Sequence, residues 1–348
     1  MNKYSFENFI MQCCKSPEWE LRKFARKLLE RSGFTVQEDK YLSRRGGKFD
    51  SVHNMLAIRG TPKVCLVAHT DVCRDHVVDG DDIPIVKPEI KIVEIDGEIK
   101  EIIQDEGPDY QVGGDDRLGV AINLNIALNT GMDLALLFTT DEEIGVVSAE
   151  QVKFPELLDF QLLVQVDRGN HSNQLVTRIG GTQLCSEEVE KRLLGIAENI
   201  GLPRYSVNGM LTDVLAIKSN KMCHNAVNMT CGYHNSFGSN KNEFIDIQEA
   251  KDTMKFVASI VKNYYLDDSL TKIISQKDRD DVPFSIEFSE EEIHAMEQMH
   301  NSFEPSKHSR KYYDNEDDVF NETLYKADKE ETDSDWDSWP NYNQSFDD

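Results

Sequence analysis

The sequence predicts a three-layer α/β/α sandwich with a mixed, mostly parallel central sheet. Three predominantly apolar runs, at residues 63–68, 133–139 and 160–166, are typical of strands that are buried on both faces. Segments with apolar residues at helical spacing separate these runs, so strands and helices alternate along the chain. With 348 residues, the chain is long enough to bury the core that such a sandwich needs.

The predicted helices follow apolar residues that recur at three- and four-residue steps. The first such stretch spans residues 5–32, where Pro17 divides it into two helices and Gly33 ends the second. Later helices are predicted after the Gly113-Gly114 turn and at residues 148–152, 186–200, 213–217 and 247–266.

Further strands are predicted where β-branched and other apolar residues lie between turn signals. An extended segment starts at residues 34–36, a second strand covers residues 54–58, and a strand-like stretch covers residues 222–231. Residues 85–103 have the pattern of a hairpin that turns at Asp96-Gly97.

Charge and cysteine content narrow the classes of function. The formal net charge of -25 argues against a nucleic-acid-binding surface, which needs clustered Lys and Arg. No stretch has the length of a transmembrane helix, and the first residues lack the apolar core of a signal peptide. We therefore expect a cytoplasmic protein that does not enter a membrane. The seven cysteines are scattered without a C-x-x-C spacing, which fits buried thiols in a reducing compartment.

Composition divides the chain into three regions. Residues 1–270 are predicted to form the folded domain, and residues 271–311 a helical C-terminal extension with an amphipathic helix at 286–303. Residues 312–348 are dense in Asp and Glu and have few aliphatic residues, so we expect an acidic disordered tail. This tail is either a spacer or a segment that docks onto a basic or aromatic-lined surface of a protein partner. The sequence leaves the oligomeric state open.

Residues with metal-binding side chains follow four of the predicted strands and one turn. They are His69 and Asp71, Glu142 and Glu143, Asp167, His234 and, after Gly113-Gly114, Asp115. In open α/β sheets, binding sites form where the carboxyl ends of strands converge. Imidazole and carboxylate ligands suit a catalytic divalent metal site, and an additional carboxylate that does not bind metal suits a general base.

Asp115 and Asp116 have two interpretations. Carboxylates in a turn that opens a helix are favoured as N-cap residues, because the helix N-terminus carries a partial positive charge. Alternatively, Asp115 binds metal and Asp116 caps the helix. The ligands at the other strand ends favour this second interpretation.

Five stretches resemble the co-catalytic di-zinc exopeptidases, a family that includes peptidase T, zinc aminopeptidases and related deacylases. The matching stretches are Ala68-His69-Thr70-Asp71, Gly114-Asp115-Asp116-Arg117-Leu118-Gly119, Thr140-Asp141-Glu142-Glu143-Ile144-Gly145, Val164-Gln165-Val166-Asp167 and Gly232-Tyr233-His234. They occur in the family's order over residues 55–265. The resemblance implies a zinc exopeptidase-like catalytic domain. Because only a short segment separates Asp167 from Asp213, we expect this domain to lack the lid domain that relatives insert.

The resemblance also implies a role for each residue. Two divalent ions, zinc with cobalt or manganese as alternatives, would share Asp115. His69 and Asp167 would complete one ion, and Glu143 and His234 the other. Glu142 would be the general base and Asp71 the partner that orients His69. His224 is an alternative to His234, because in many relatives a Glu follows the last His closely, whereas Glu243 lies farther on.

The function that this implies is a metal-dependent hydrolase of peptide bonds, either an aminopeptidase or a short-peptide exopeptidase. An N-acyl amino acid deacylase or carboxypeptidase is an alternative, in which a basic residue would bind the substrate carboxylate. The candidates for that residue are Arg117, Arg168, Arg178 and Arg204. A third possibility, from a different class, is a non-catalytic binding protein that uses its acidic tail.

Overall fold

A computed structural model describes residues 2–45, 48–73, 86–106, 111–236, 242–266 and 285–288. All of these residues belong to one compact unit, Met1–Pro305. The predicted helical extension, apart from residues 285–288, and the predicted acidic tail lie outside the described residues.

The helices agree with the periodicity of the sequence. They are α1 (Phe6–Lys15), α2 (Glu18–Arg31), α3 (Gly114–Asn129), α4 (Val147–Glu150), α5 (Glu187–Asn199), α6 (Asp213–Ser219) and α7 (Ile247–Tyr265), with a 3₁₀ helix at Pro155–Asp159. Pro17 separates α1 from α2, as predicted. Gly33 follows α2 with a φ of 83°, a left-handed conformation that glycine adopts without strain, and the helix ends there.

The strands are numbered in chain order. They are β1 (Asn2–Ser5), β2 (Thr35–Arg45), β3 (Lys48–Arg59), β4 (Val64–His69), β5 (Pro88–Ile95), β6 (Glu98–Asp105), β7 (Leu134–Thr139), β8 (Leu162–Arg168), β9 (Gln174–Ile179), β10 (Thr182–Gln183), β11 (Tyr205–Gly209), β12 (Ala226–Thr230), β13 (Tyr233–His234), β14 (Phe244–Asp246) and β15 (Ser285–Phe288).

The central sheet has nine strands, and its four middle strands are parallel. Its order is β10-β9-β12-β8-β4-β7-β3-β2, with β11 beside β9. The strands β3 and β2 continue the sheet in antiparallel pairing. The carboxyl ends of β12, β8, β4 and β7 therefore lie along one edge of the sheet, which is the edge that carries the predicted metal ligands.

Helices cover both faces of this sheet. In β4, Val64, Leu66 and Ala68 pack into the larger hydrophobic cluster, which contains residues of α1, α2, α3, α5 and α7. Cys65 and Val67 point to the opposite face and pack into a second cluster with residues of α4, α6 and the 3₁₀ helix. This alternation buries the strand on both sides. It confirms the predicted three-layer sandwich.

The segment between Asp167 and Asp213 forms β9, β10, α5 and β11. Its strands extend the central sheet beyond β12. The segment is therefore part of the sandwich rather than an inserted domain.

The predicted hairpin is also present. Strands β5 and β6 pair in antiparallel fashion, and Asp96 and Gly97 adopt φ angles of 53° and 83° at the turn. Both angles lie in the left-handed region that tight hairpin turns require. With β14 and β13, the hairpin forms a second, four-stranded sheet.

The prediction of a helix at 286–303 is wrong for its first three residues. Residues Ser285–Phe288 form β15, which pairs in antiparallel fashion with β1. Ile286, Glu287 and Phe288 alternate between apolar and charged side chains, which suits a strand. The partner strand lies at the other end of the chain, so no local pattern reveals the pairing. Residues 289–303 lie outside the described part of the chain.

The cysteine thiols lie mostly inside the fold. Six of the seven cysteines are buried and Cys73 is half-buried, and all seven are free thiols. Within the described residues, the helices are too short or too polar for any of them to cross a lipid bilayer.

Gly119 is a point of close packing between α3 and β8. A Cβ atom added there would lie 2.6 Å from the backbone oxygen of Val166 and 2.3 Å from Asp116 Oδ1. We expect Gly119→Ala to lower the free energy of unfolding by about 1–3 kcal/mol, because backbone atoms cannot move aside cheaply. Chemical denaturation measures this change.

Gly195→Ala in α5 is the control, since its Cβ meets open space, and it should stabilise the helix by up to about 1 kcal/mol. Equal stability of Gly119→Ala and the parent chain would contradict the prediction.

Candidate metal centre

Three predicted ligands converge at the carboxyl edge of the central sheet. His69 is the last residue of β4, Asp167 lies in the neighbouring parallel strand β8, and Asp115 lies at the start of α3. His69 Nε2 is 3.1 Å from Asp115 Oδ1 and 3.5 Å from Asp167 Oδ1. The three ligand atoms lie within 4.8 Å of one another, and among the described residues they are the one such group of three.

Asp71 orients the imidazole of His69 through contacts with its Nδ1 atom. Its Nδ1 is 3.0 Å from the backbone oxygen of Asp71 and 3.4 Å from Asp71 Oδ1. Because Nδ1–H donates to this carbonyl, Nε2 is the atom that faces Asp115 and Asp167. Burial alone would lower the pKa of His69, but Asp167, Asp115 and Asp71 together raise it well above its ordinary value. A cation bound at this position would replace the proton between imidazole and carboxylates.

Asp71 also positions the Glu142-Glu143 turn. Its Oδ1 accepts a hydrogen bond from the backbone N–H of Glu142 at 3.2 Å, and its Oδ2 accepts one from that of Glu143 at 3.2 Å. One carboxylate therefore connects the loop after β4 with the loop after β7. The sequence predicts the contact with His69 but offers no signal for these two backbone contacts.

Burial and nearby negative charges raise the pKa values of both glutamates of this turn. Burial and the negative charge of Asp115 raise the pKa of Glu143 to about 8. Burial, with a contribution from the charge of Asp167, raises the pKa of Glu142 well above its ordinary value. The Glu143 carboxylate accepts hydrogen bonds from the Cys73 backbone N–H at 3.1 Å and from the Cys73 thiol at 2.9 Å.

The centre holds more negative charge than its imidazole can balance. Burial raises the pKa of Asp167 to about 6 and that of Asp213 to about 7, and nearby carboxylates add to both shifts. Buried carboxylates crowded around one histidine are stabilised by a bound cation. The residues present thus fit a divalent metal ion with nitrogen and oxygen ligands.

The side chains of Asp115 and Asp116 make different contacts. Asp116 is fully buried, and its Oδ1 accepts a hydrogen bond from the backbone N–H of Gly119 at 3.0 Å. Because Asp115 and Asp116 have non-helical backbone angles, the regular part of α3 begins after them, and this contact caps its first turn as predicted. Asp115, joined to Asp116 by a cis peptide bond, instead directs its carboxylate at His69.

Glu243 supports the turn that carries Asp115. Its buried carboxylate accepts hydrogen bonds from the backbone N–H groups of Gly113 at 2.7 Å and Asp115 at 3.2 Å. In the sequence, Glu243 stands out only because it lies farther from His234 than in relatives. Its contact with the turn at Gly113–Asp115 is a tertiary feature.

Glu18, at the start of α2, supports two loops that carry predicted site residues. Its Oε1 accepts a hydrogen bond from the hydroxyl of Thr70 at 2.9 Å and another from the hydroxyl of Thr140. Thr70 follows His69, and Thr140 precedes the Asp141-Glu142-Glu143 turn. Glu18 was not predicted as a site residue, because the sequence shows it only as an acidic residue in the first turn of a helix.

His234 does not join the group of His69, Asp115 and Asp167. Its Nε2 is 3.1 Å from Glu249 Oε2, and its ring stacks on Phe244 with a centroid distance of 5.0 Å and an interplanar angle of 18°. The neighbouring Tyr233 is the residue that reaches the group, since its hydroxyl donates to Asp167 Oδ1 at 3.1 Å. No local sequence pattern indicates this contact of Tyr233.

His224, the alternative ligand, lies at the opposite edge of the sheet. It is exposed and precedes β12, whose first residue, Ala226, pairs with Leu163 near the start of β8. Because β8 and β12 are parallel, His224 is separated from Asp167 by nearly the whole length of the strands.

Solved structures provide an independent comparison. The aminopeptidase PepT of Bacillus cereus matches with a TM-score of 0.58 and 16% sequence identity, over 75% of this chain and 98% of that protein. A TET aminopeptidase from a marine-sediment thaumarchaeon matches with a TM-score of 0.54 and 11% identity, over 75% of this chain and 98% of that one. The chain has the aminopeptidase fold.

This fold also occurs in other enzymes. The glutaminyl cyclase of Tannerella forsythia matches with a TM-score of 0.52 and 14% identity, over 74% of this chain and 97% of that one. Comparison of the sequence with protein-family models and with curated proteins gives no match. At such identities the similarity establishes the aminopeptidase fold alone, and the chemistry has to be argued from the residues of the site.

Proposed function

We propose that this chain is a metal-dependent aminopeptidase that acts on short peptides. The observation that carries the proposal is the group of His69, Asp115 and Asp167 at the carboxyl edge of the sheet, beside the Glu142-Glu143 turn. Zinc suits this ligand set, and cobalt and manganese accept the same donors. When bound, such an ion supplies an activated water and polarises the scissile carbonyl.

Glu142 is the proposed general base. It takes a proton from the attacking water and returns it to the departing amine. Two features support this role. The carboxylate of Asp71, which lies 3.4 Å from His69 Nδ1, accepts a hydrogen bond from the Glu142 backbone N–H. Burial and the charge of Asp167 raise the pKa of Glu142, which suits a group that accepts a proton. Glu143, the metal ligand that the resemblance implies, is outside the group of His69, Asp115 and Asp167, and its carboxylate accepts hydrogen bonds from Cys73.

The charges around the centre favour a substrate with a free amino group. The negative charge of Glu143, which is half-buried beside the Asp115 carboxylate, suits a substrate ammonium group. A deacylase or carboxypeptidase would instead need a guanidinium group for the substrate carboxylate. Arg204, one of the candidates, donates to the Thr230 carbonyl at 3.2 Å and the Thr253 hydroxyl at 2.8 Å, so it is used inside the fold. Arg117, another candidate, is fully buried.

A substrate screen of the full chain tests the proposal. We expect hydrolysis of aminoacyl amides and of dipeptides and tripeptides, loss of activity after treatment with a chelator, and recovery on addition of zinc, cobalt or manganese. N-acetyl amino acids test the deacylase alternative, and peptides with N-terminal glutamine test cyclisation. A purified chain that holds no divalent metal and hydrolyses none of these substrates would instead support a non-catalytic binding protein.

A further inference from the structure

The strand β13 presents a different residue to the metal centre than the sequence predicts. Consecutive residues of a strand point to opposite sides, so Tyr233 and His234 cannot both face Asp167. The Tyr233 hydroxyl contacts Asp167 Oδ1 at 3.1 Å. The His234 imidazole lies on the other side of the strand, 3.1 Å from Glu249 Oε2.

Two glycines fix this orientation of β13. A Cβ atom added to Gly169 would lie 2.0 Å from the ring of Tyr233, and one added to Gly114 would lie 2.7 Å from Tyr233 Cβ. The chain thus leaves room for the aromatic side chain, which is only 3% exposed. Bringing His234 inward would require β13 to exchange its two faces, and that would break its register with β14.

His234 is already part of another polar cluster. Its partner Glu249 also accepts a hydrogen bond from the Ser172 hydroxyl at 2.7 Å and lies 3.6 Å from Lys100 Nζ. The ring of His234 stacks on Phe244, its cross-strand partner. This cluster connects β13 to the start of α7 and does not include any of the group His69, Asp115 and Asp167.

A second metal position would therefore have an incomplete ligand set. A pair of ions needs terminal ligands on each side of the bridging carboxylate. Of the two terminal ligands that the resemblance implies for this second ion, Glu143 is outside the group of His69, Asp115 and Asp167 and contacts Cys73, and His234 contacts Glu249. Within the described residues, no imidazole other than that of His69 belongs to a group that could hold a metal.

We infer that this chain holds one divalent ion, ligated by His69, Asp115 and Asp167, and that Tyr233 positions Asp167 while His234 is not a metal ligand. This inference rests on the proposed metal-dependent function. It differs from the two-ion centre that the sequence resemblance implies. The hydroxyl of Tyr233 keeps Asp167 Oδ1 directed at the ion, and His234 contributes to the packing of α7.

Metal stoichiometry tests the inference directly. The full chain is loaded with Zn²⁺, desalted into metal-free buffer and measured by mass spectrometry of the metal, and its affinity is measured by calorimetric titration with Zn²⁺. We expect one ion per chain, both in the parent protein and in His234→Phe, which keeps the ring stack on Phe244. We expect Tyr233→Phe to keep one ion per chain but to bind it about 10-fold more weakly, with an unchanged melting temperature.

Each other outcome has a definite meaning. Two tightly bound ions in the parent chain would overturn the inference and leave the proposed function intact. One ion that is lost in a folded His234→Phe variant would overturn the proposed ligand set. No bound ion in the parent chain would overturn the proposed function as well. An unchanged affinity in Tyr233→Phe would overturn the positioning role of Tyr233.

Discussion

Asp115→Asn is expected to abolish both metal binding and hydrolysis while the chain stays folded. The substitution keeps the size of the side chain but removes the charge that faces His69 Nε2 at 3.1 Å. Asp115 is one of the three ligands of the proposed site, and its carboxylate is in hydrogen-bond contact with the His69 imidazole. Metal content after desalting and hydrolysis of an aminoacyl amide are the measurements.

Asp116→Asn is the matched control for this prediction. It makes the same chemical change one residue later, at a side chain that caps α3 through the Gly119 N–H. Asparagine is as good an N-cap as aspartate, so metal content and activity should remain, whereas Asp116→Ala should cost about 1 kcal/mol of stability. If the Asp115→Asn and Asp116→Asn variants lose metal equally, the metal ligand has been assigned to the wrong carboxylate.

Glu142→Gln is expected to lower kcat by about 10²–10⁴-fold without changing the metal content. Glutamine has nearly the same shape as glutamate but cannot accept a proton from water. The backbone of residue 142 keeps its contact with Asp71, so the turn should retain its conformation. Steady-state kinetics give the change in kcat, and thermal denaturation with metal analysis shows that fold and metal site persist.

The control for Glu142→Gln is Glu150→Gln. Glu150 is exposed and lies in α4, directly after the same loop. Its substitution removes one carboxylate from the same part of the surface, so it accounts for the general loss of negative charge. A variant at residue 142 that is as active as the one at residue 150 would rule out Glu142 as the base.

Much of the secondary structure follows from local sequence patterns. The break at Pro17 and the turn at Asp96-Gly97 depend on the backbone preferences of single residues, which act without help from distant parts of the chain. The buried strands β4, β7 and β8 are visible as apolar runs because both of their faces are covered. The convergence of His69, Asp115 and Asp167 could be expected from the same sequence patterns, because each residue lies at the end of a predicted strand or at the start of a predicted helix.

The edges of the sheets were less predictable. Strand β1 pairs with β15, near the opposite ends of the described chain, and β11 inserts beside β9 in parallel fashion. Short strands of four or five residues carry too few side chains to show a period. Their pairing depends on which backbone groups remain available once the central sheet has formed.

In the candidate centre, too, some features follow from the local sequence and others only from the tertiary structure. By itself, the sequence determined the helices of the sandwich, the buried strands β4, β7 and β8, the candidate ligands at their ends, and that Asp116 caps α3, because those properties depend on residues close together in the chain. Only the tertiary structure decided that Glu18 and Glu243 support the loops of the centre and that Tyr233 rather than His234 reaches Asp167. The face that a two-residue strand presents is set by its neighbours in space, here the room left by Gly114 and Gly169.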